Sequence, residues 1–394
     1  MALESIVKRT SLEDIIKESK TFYCLECGKC SSICPISRYD PCYSPRVMIE
    51  DALLGLEGDL IHNKELFSCL TCGACQPKCP SDVNYPLFIQ KMRAVASNNG
   101  EHGDCAHSGT IQSLIRLMSN PGVEQRRLEW LSNGYRTSDQ SEVLFWVGCA
   151  PYFDPIFEDL GLKVTDVAKG SLRILNSLGV EPMLLPDEKC CGHDMLWTGD
   201  VETFEKLAQR NAAMIKEAGV EKIIFSCPEC YRAFKQDYPN YVEINCELQH
   251  ISEFLSEAME KDGLRFREIR KKVTYHDPCR LGRHLGVYEP PREVIQAIPG
   301  IELVEMEQSR EESLCCGTSA FTNCDSYSKR IRVERLLDAK ATGADTLITT
   351  CPKCQIHFRC AMLNKGEEKG TDIEIEVMDM VNLVANALGV WKDE

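Results

Sequence analysis

The chain has 394 residues, enough for two or three domains that each bury a core, and a formal net charge of −15 that argues against nucleic acid as a partner. Its 23 cysteines exceed what a short secreted disulfide scaffold would explain in a chain this long, so metal or redox chemistry is expected. No stretch approaches the ~18 apolar residues of a spanning helix, so any exchange with a membrane needs a partner to supply the span.

Met1 to Thr10 has no apolar run and no cleavage pattern, so no secretory leader is expected and the setting reads as cytoplasmic. Ile6, Val7, Leu12, Ile15 and Ile16 among charges, with Ser11 ahead of Leu12 and Asp14, suggest a short amphipathic helix that docks on the next module.

Cys24, Cys27, Cys30 and Cys34-Pro35 then follow the spacing Cys-x-x-Cys-x-x-Cys-x-x-x-Cys-Pro, and Cys69, Cys72, Cys75 and Cys79-Pro80 repeat it 45 residues later. This is the ferredoxin run that holds two [4Fe–4S] cubanes. Three thiolates on one tight turn cap three irons, and the fourth comes from the other run. One cubane is therefore expected on Cys24, Cys27, Cys30 and Cys79, the other on Cys69, Cys72, Cys75 and Cys34. Zinc knuckles are the competing use of Cys-x-x-Cys, but zinc does not need the Cys-Pro tail twice. Helices are predicted after Pro45, over 45–56, and after Pro86, over 87–97. Residues 98–141 are rich in Gly, Asn and polar residues and read as a linker with one short helix near 111–118.

From 142 the pattern becomes strands alternating with helices. Strands are predicted over 143–147, 183–185 and 222–226, with helices over 165–178 and 201–218 between them. A second copy follows, with strands over 273–276, 301–306 and 346–350, and helices after Pro290-Pro291 and over 327–341. Apolar strands separated by helical segments imply parallel βαβ units. The first copy carries Cys149, Cys190-Cys191-Gly192 and Cys227-Pro228-Glu229-Cys230. The second carries Cys279, Cys315-Cys316-Gly317 and Cys351-Pro352-Lys353-Cys354. The step from the adjacent pair to the last motif is 36 residues in one copy (191 to 227) and 35 in the other (316 to 351). A repeat of ligands means a repeat of sites. All ten thiols come at or after the carboxyl ends of strands, where loops of open α/β sheets converge. Five thiolates exceed the need of tetrahedral zinc or a cubane, so an unusual iron–sulfur centre is expected in each copy.

On these motifs, from Cys24 to Cys354, the chain resembles the catalytic subunit of heterodisulfide reductase in its fused D-type form. The resemblance implies two cubanes in the N-terminal part and a non-cubane [4Fe–4S] cluster in each Cys-Cys-Gly domain. Many relatives keep one complete five-cysteine set, whereas here both are complete. It also implies that a small mixed disulfide, in methanogens that of coenzyme M and coenzyme B, is split between the two clusters, one electron at each, with each sulfur briefly held on iron. The alternative is an electron-transfer subunit of a flavin-dependent dehydrogenase complex for a 2-hydroxy acid, glycerol 3-phosphate or an acyl-CoA. Implied partners are an electron-donor subunit, whether a membrane cytochrome b subunit, a flavin-bifurcating subunit or a hydrogenase or formate dehydrogenase module. Such a partner would place the protein in the cytoplasm, peripheral on the inner face of the membrane.

The substrates so implied are anions, and an acidic protein needs local positive charge to accept them. Lys189, Arg280, Arg283 and Lys353 are candidates, each equally readable as a surface ion pair. His193, His276 and His284 stand near cluster cysteines and either give a proton to a leaving thiolate or hydrogen-bond a cluster sulfur. Cys42, Cys246, Cys324 and Cys360 read as structural, and a metal cluster of Cys105 with His102 and His107 is disfavoured by loose loop spacing and the lack of a fourth ligand. The expected organisation is an α-helical ferredoxin-like domain over 1–100, a linker over 101–141, and Cys-Cys-Gly domains with parallel sheets over 142–262 and 263–394.

Overall fold

The computed structural model of the chain describes residues 11–262, 264–363 and 373–391. Met1 to Thr10, with Ile6 and Val7 of the predicted docking helix, lie outside the described residues, as does residue 263 at the expected boundary between the repeats. The chain forms two compact units assembled from alternating stretches. The first gathers Met1–Pro121, Gly192–Leu207 and Gly317–Ile331; the second gathers Gly122–Cys191, Ala208–Cys316 and Arg332–Glu394. The chain leaves the second unit directly after each Cys-Cys pair.

The first unit is helical. Ser11 opens the helix Leu12–Glu18 by accepting the Asp14 N–H at 3.2 Å, while the Asp14 carboxylate accepts back from the Ser11 N–H. Ser44 caps Pro45–Leu53, which ends about a turn earlier than expected because Gly55 takes a left-handed φ of 76°. Asn84 caps Tyr85–Asn98, whose buried face carries Phe88, Ile89 and Met92. Arg93 on that helix is fully buried and donates to three carbonyls: Leu66 at 3.1 Å, Cys69 at 2.7 Å and Trp197 at 2.9 Å. It thus ties the second cysteine run to the stretch that follows Cys191. Leaving buried carbonyls unmade costs roughly 1–3 kcal/mol each. Arg93→Met, similar in length but without donors, is expected to lower stability by at least about 3 kcal/mol in chemical denaturation of the anaerobic protein.

The second unit holds two parallel sheets. The first sheet runs β1 (Val143–Trp146), β2 (Lys222–Phe225), β3 (Glu247–His250) in that order. The second runs β5 (Ile301–Leu303), β4 (Lys271–Tyr275), β6 (Thr346–Thr349), β7 (Glu376–Asp379). The predicted strand at 183–185 is reduced to a single parallel bridge, Leu144 to Met183, in the place β5 takes in the other sheet. The two sheets therefore repeat one topology. Strands β3 and β7 complete them, and neither is among the predicted elements. Each is short, half-polar and set at a sheet edge.

Each sheet lends a helix to the other half. Met380–Ala387, after β7, packs on Thr165–Ser177, and Ile251–Asp262, after β3, packs on Glu289–Gln296. One continuous core results, with Phe145, Leu172, Ile224, Val273, Ile348 and Val384 buried in it. Gly170 permits the first contact, since a Cβ there would stand 2.9 Å from the Val381 side chain.

Asp379 caps its helix, accepting from the Val381 N–H at 2.9 Å and from the Gln355 amide at 3.1 Å. Burial pushes its carboxyl up to about 7. The folded state then holds the proton more tightly than the unfolded chain. Stability from this group is complete below the ordinary carboxyl range and is lost as pH rises through 7. Asp379→Asn keeps the cap and cannot ionise. It is expected to match the parent below about pH 4 and to gain on it in melting temperature as pH rises from there to about 7. Equal changes for both proteins between about pH 4 and pH 7 would remove Asp379 as the cause.

Candidate iron–sulfur sites

In the first unit the thiols of the two runs sort crosswise. A hollow of ≈ 430 Å³ is lined by Cys24, Cys27, Cys30, Cys75 and Cys79. A second, of ≈ 330 Å³, is lined by Cys34, Cys69, Cys72 and Cys75. Matching loop geometry builds them. Glu26 and Thr71, each one residue before the second cysteine of its run, hold left-handed φ values of 53° and 45°. Left-handed backbone is unfavourable for such residues and persists only where the surroundings fix it. Here it turns the Glu26 N–H onto the Cys24 sulfur at 3.4 Å and the Thr71 N–H onto the Cys69 sulfur at 3.3 Å. Burial pushes the Cys34 thiol up to about 12 and that of Cys75 well above its ordinary value. Such thiols ionise when a metal replaces their protons. The donors aimed at sulfur suit an iron–sulfur cluster better than a disulfide, and none of the chain's 23 cysteines is disulfide-bonded.

The two hollows differ in depth. Cys69, Cys72 and Cys75 are buried, whereas Cys27 is exposed and Cys24 and Cys30 are half-buried. Phe22, Tyr23 and Leu25, beside Cys24, stand 72%, 63% and 69% exposed. The buried run is held by the returning stretch Gly317–Ile331: Thr71 bonds the Ser319 hydroxyl at 2.7 Å, and Asn323 donates to the Phe67 and Ser68 carbonyls.

In the second unit each set of five thiols converges past the carboxyl ends of its strands. Cys149 follows β1, Cys227 follows β2, Cys279 follows β4 and Cys351 follows β6. The prolines of both Cys-Pro-x-Cys motifs prove to be the first residues of helices, Pro228–Arg232 and Pro352–Leu363, where a missing N–H costs nothing. Gly192 and Gly317 both take left-handed backbone, φ 79° and 80°, so the chain can turn away directly behind two adjacent buried cysteines.

A buried carboxylate–arginine pair props the first cysteine loop of each copy. Glu188 accepts the N–H groups of Val147 at 3.1 Å and Gly148 at 2.7 Å, and Arg127 binds it at 2.7 Å with both side chains sealed from solvent. Asp277 accepts from Arg292 at 2.7 and 2.9 Å and from the Arg310 N–H at 2.8 Å. The Cys149 and Cys190 sulfurs are 3.4 Å apart. Hydrogen bonds from Cys190 and Cys230 bring the Cys191 thiol down to about 7. Those from Cys315 and Cys354, with His276 and His357, bring Cys316 well below the ordinary range. Five convergent, buried or half-buried thiols, one of them inclined to ionise, suit a metal–sulfur centre in each copy.

The two sets share an edge. Glu229, inside the first Cys-Pro-x-Cys, pairs with Lys353, inside the second, and both side chains are nearly buried. Burial, with Cys227 and Glu229 adding to it, pushes the Cys351 thiol up to about 11.

The other sequence candidates fall in different places. Lys189 is buried and bonded to Asp187 at 2.5 Å. Arg280 bonds His284 at 2.8 Å, and Arg283 donates to the Ser313 carbonyl; both act on Cys279 to favour its thiolate. His276 is fully buried against Cys316 and Cys354. His193 opens the helix His193–Thr198 of the first unit and bonds Asp194 at 3.1 Å. The sequence reading missed His357, Arg335 and the Arg127–Glu188 prop. His357 stands three residues after Cys354, one turn along the same helix face, and that spacing is a usable signal.

Two family models match the chain: a 4Fe-4S dicluster domain over residues 20–83 and a cysteine-rich domain, CCG, over residues 143–235 and 273–359. The chain is similar to the D-type subunit of the dihydromethanophenazine:CoB--CoM heterodisulfide reductase of Methanosarcina acetivorans, 36% identical over 293 residues that cover 72% of this chain and 68% of that one. It is also similar to the EtfAB:quinone oxidoreductase of Syntrophomonas wolfei, 32% identical over 224 residues, 54% of this chain and 30% of that one. A solved structure of a hypothetical protein from Helicobacter pylori shares the fold at a TM-score of 0.58 and 12% identity, over 97% of this chain and 77% of that one.

Proposed function

Because the chain belongs to the family of D-type heterodisulfide reductase subunits, and is on that footing an iron–sulfur oxidoreductase, we propose that it reduces a small mixed disulfide of the CoM-S-S-CoB kind to two thiols. The observation that carries this reading is the closeness of two complete five-thiol sets in one compact unit, joined along the Glu229–Lys353 edge.

The balance is R–S–S–R′ + 2 e⁻ + 2 H⁺ → RSH + R′SH. Non-cubane [4Fe–4S] clusters on Cys149, Cys190, Cys191, Cys227, Cys230 and on Cys279, Cys315, Cys316, Cys351, Cys354 would supply single electrons and a thiophilic metal at each sulfur. The protein's own part is to hold the two thiol sets at one edge. It also presents Arg280 and Arg283 beside Cys279, where an anionic substrate group would be met by positive charge. Two cubanes on the crossed cysteine sets of the first unit would feed electrons in. The half-exposed outer set beside Phe22, Tyr23 and Leu25 offers an electron-donor subunit its docking point. No helix among the described residues is long and apolar enough to cross a membrane, so a membrane donor would bring its own span.

A second reading, electron transfer within a flavin-linked complex without disulfide chemistry, is favoured by the likeness to the EtfAB:quinone oxidoreductase. Anaerobically purified protein is expected to hold about sixteen irons if four tetranuclear clusters are present. Oxidation of reduced viologen that depends on added CoM-S-S-CoB supports the disulfide reading. Sixteen irons with no such oxidation, for this or any other mixed disulfide, supports electron transfer alone.

A further inference from the structure

The two five-thiol sets match in order and spacing, but their surroundings do not. Three residues before the first cysteine stands Trp146 in one copy and His276 in the other. Three residues after the last cysteine stands Ala233 in one copy and His357 in the other.

The second set also has cations around it, two of them ion-paired: Arg335 with Asp338 at 3.7 Å, and Lys353 with Glu229. Arg335 is fully buried and donates to His276 Nδ1 at 3.2 Å, to the Ser313 hydroxyl at 2.8 Å and to the Gln308 carbonyl at 2.8 Å. Arginine can only donate, so Nδ1 must accept and the imidazole proton is placed on Nε2. That nitrogen makes no hydrogen bond among the described residues, to sulfur or otherwise, while the Cys316 thiol acts on the ring. A ring nitrogen of His276, Cys316 Sγ and Cys354 Sγ lie within 4.8 Å of one another. His357 Nδ1 lies 3.9 Å from the same Cys316 sulfur. Arg280 and Arg283 act on Cys279, and Arg332 and Lys353 act on His357.

The first set has a different shell. Trp146 packs edge-on against Phe234. At its Cys-Cys pair Asn211 donates to the Cys190 carbonyl and Tyr238 to that of Cys191. Its buried arginine, Arg127, is matched by Glu188.

We infer that the two Cys-Cys-Gly sites are electronically unequal, with His276, held in one tautomer by Arg335, and His357 making the second site the more easily reduced. The inference rests on the proposed pair of iron–sulfur centres. Hydrogen bonds to metal-bound sulfur and nearby positive charge both stabilise the more negative, reduced state. His276 and Arg335 are therefore positioning residues that act through Cys316.

The test is a potentiometric titration of the anaerobic full-length protein, followed by electron paramagnetic resonance, with iron counted in every sample. In the parent, the two non-cubane signals are expected to titrate separately. His357→Phe and His276→Phe are expected to lower the more positive one so that its reduced-to-oxidised ratio at fixed potential falls at least tenfold, about 59 mV for one electron. The other signal should not move. His276→Gln, which restores a donor, should recover part of the shift. If His276→Phe loses iron, His357→Phe decides. Coincident titration of the two signals in the parent, an equal shift of both, or no shift at full iron content overturns the inequality alone. An iron count near eight, with cubane signals only, overturns the paired centres and the inference with them.

Discussion

Cys315→Ala is expected to cut disulfide-dependent oxidation of reduced viologen by at least about 100-fold, beyond the loss typical of disturbing a ligand's supporting partners. Cys315 is buried, and it is the leading hydrogen-bond neighbour of both Cys279 and Cys316. Its loss removes the thiol that joins the loop after β4 to the Cys-Cys pair. Four thiols remain in the set, enough for an ordinary cubane, so iron content is a poor readout and turnover is the right one. The signals of the cubanes proposed for the first unit should persist, because that unit carries both four-cysteine runs itself. Cys324→Ala, at an exposed cysteine outside both sets, is the control and should leave turnover unchanged. Cys190→Ala should behave as Cys315→Ala does if both sets are needed. Turnover that survives either substitution would mean that a single set suffices, and the paired-site reading would fall.

How far the sequence carried this picture depends on what each feature needs. The β/α alternation and the helices 201–218 and 327–341 were legible because long apolar periodicity belongs to the chain alone; the second begins one residue earlier, at Ser326. The cysteine motifs were legible because ligand spacing is local. Strands β3 and β7 were not, since four-residue edge strands with polar members carry little pattern and are fixed by their neighbours. The interleaving of the two units was not legible either. Only folding shows that Trp197 and Ser319 belong with the ferredoxin-like stretch, through Arg93 and Thr71. Lys353 stayed open between a pocket cation and a surface ion pair because its partner, Glu229, lies over a hundred residues away in the other repeat. His276 was noticed for its nearness to Cys279 in sequence, yet the sulfur it faces is that of Cys316.

That ion pair gives the other large effect. Lys353→Met is expected to destabilise the protein by roughly 3–5 kcal/mol, the range found when one member of a buried pair is removed and the other is left uncompensated. Glu229 would be the stranded charge, inside the Cys227–Cys230 turn and within reach of Cys351. Denaturation of the anaerobic protein measures the loss. The charge-reversed double variant Lys353→Glu with Glu229→Lys separates two roles for the lysine. If Lys353 serves to fasten the two Cys-Pro-x-Cys turns, the reversed pair should recover most of the stability and much of the viologen oxidation, because the edge is joined again. If Lys353 instead holds an anionic group of the disulfide, reversal moves the cation to the other turn. Stability would then return while the KM for the disulfide stays raised. The geometry favours fastening: a lysine whose ammonium already rests on a nearly buried carboxylate has little field left for a third charge.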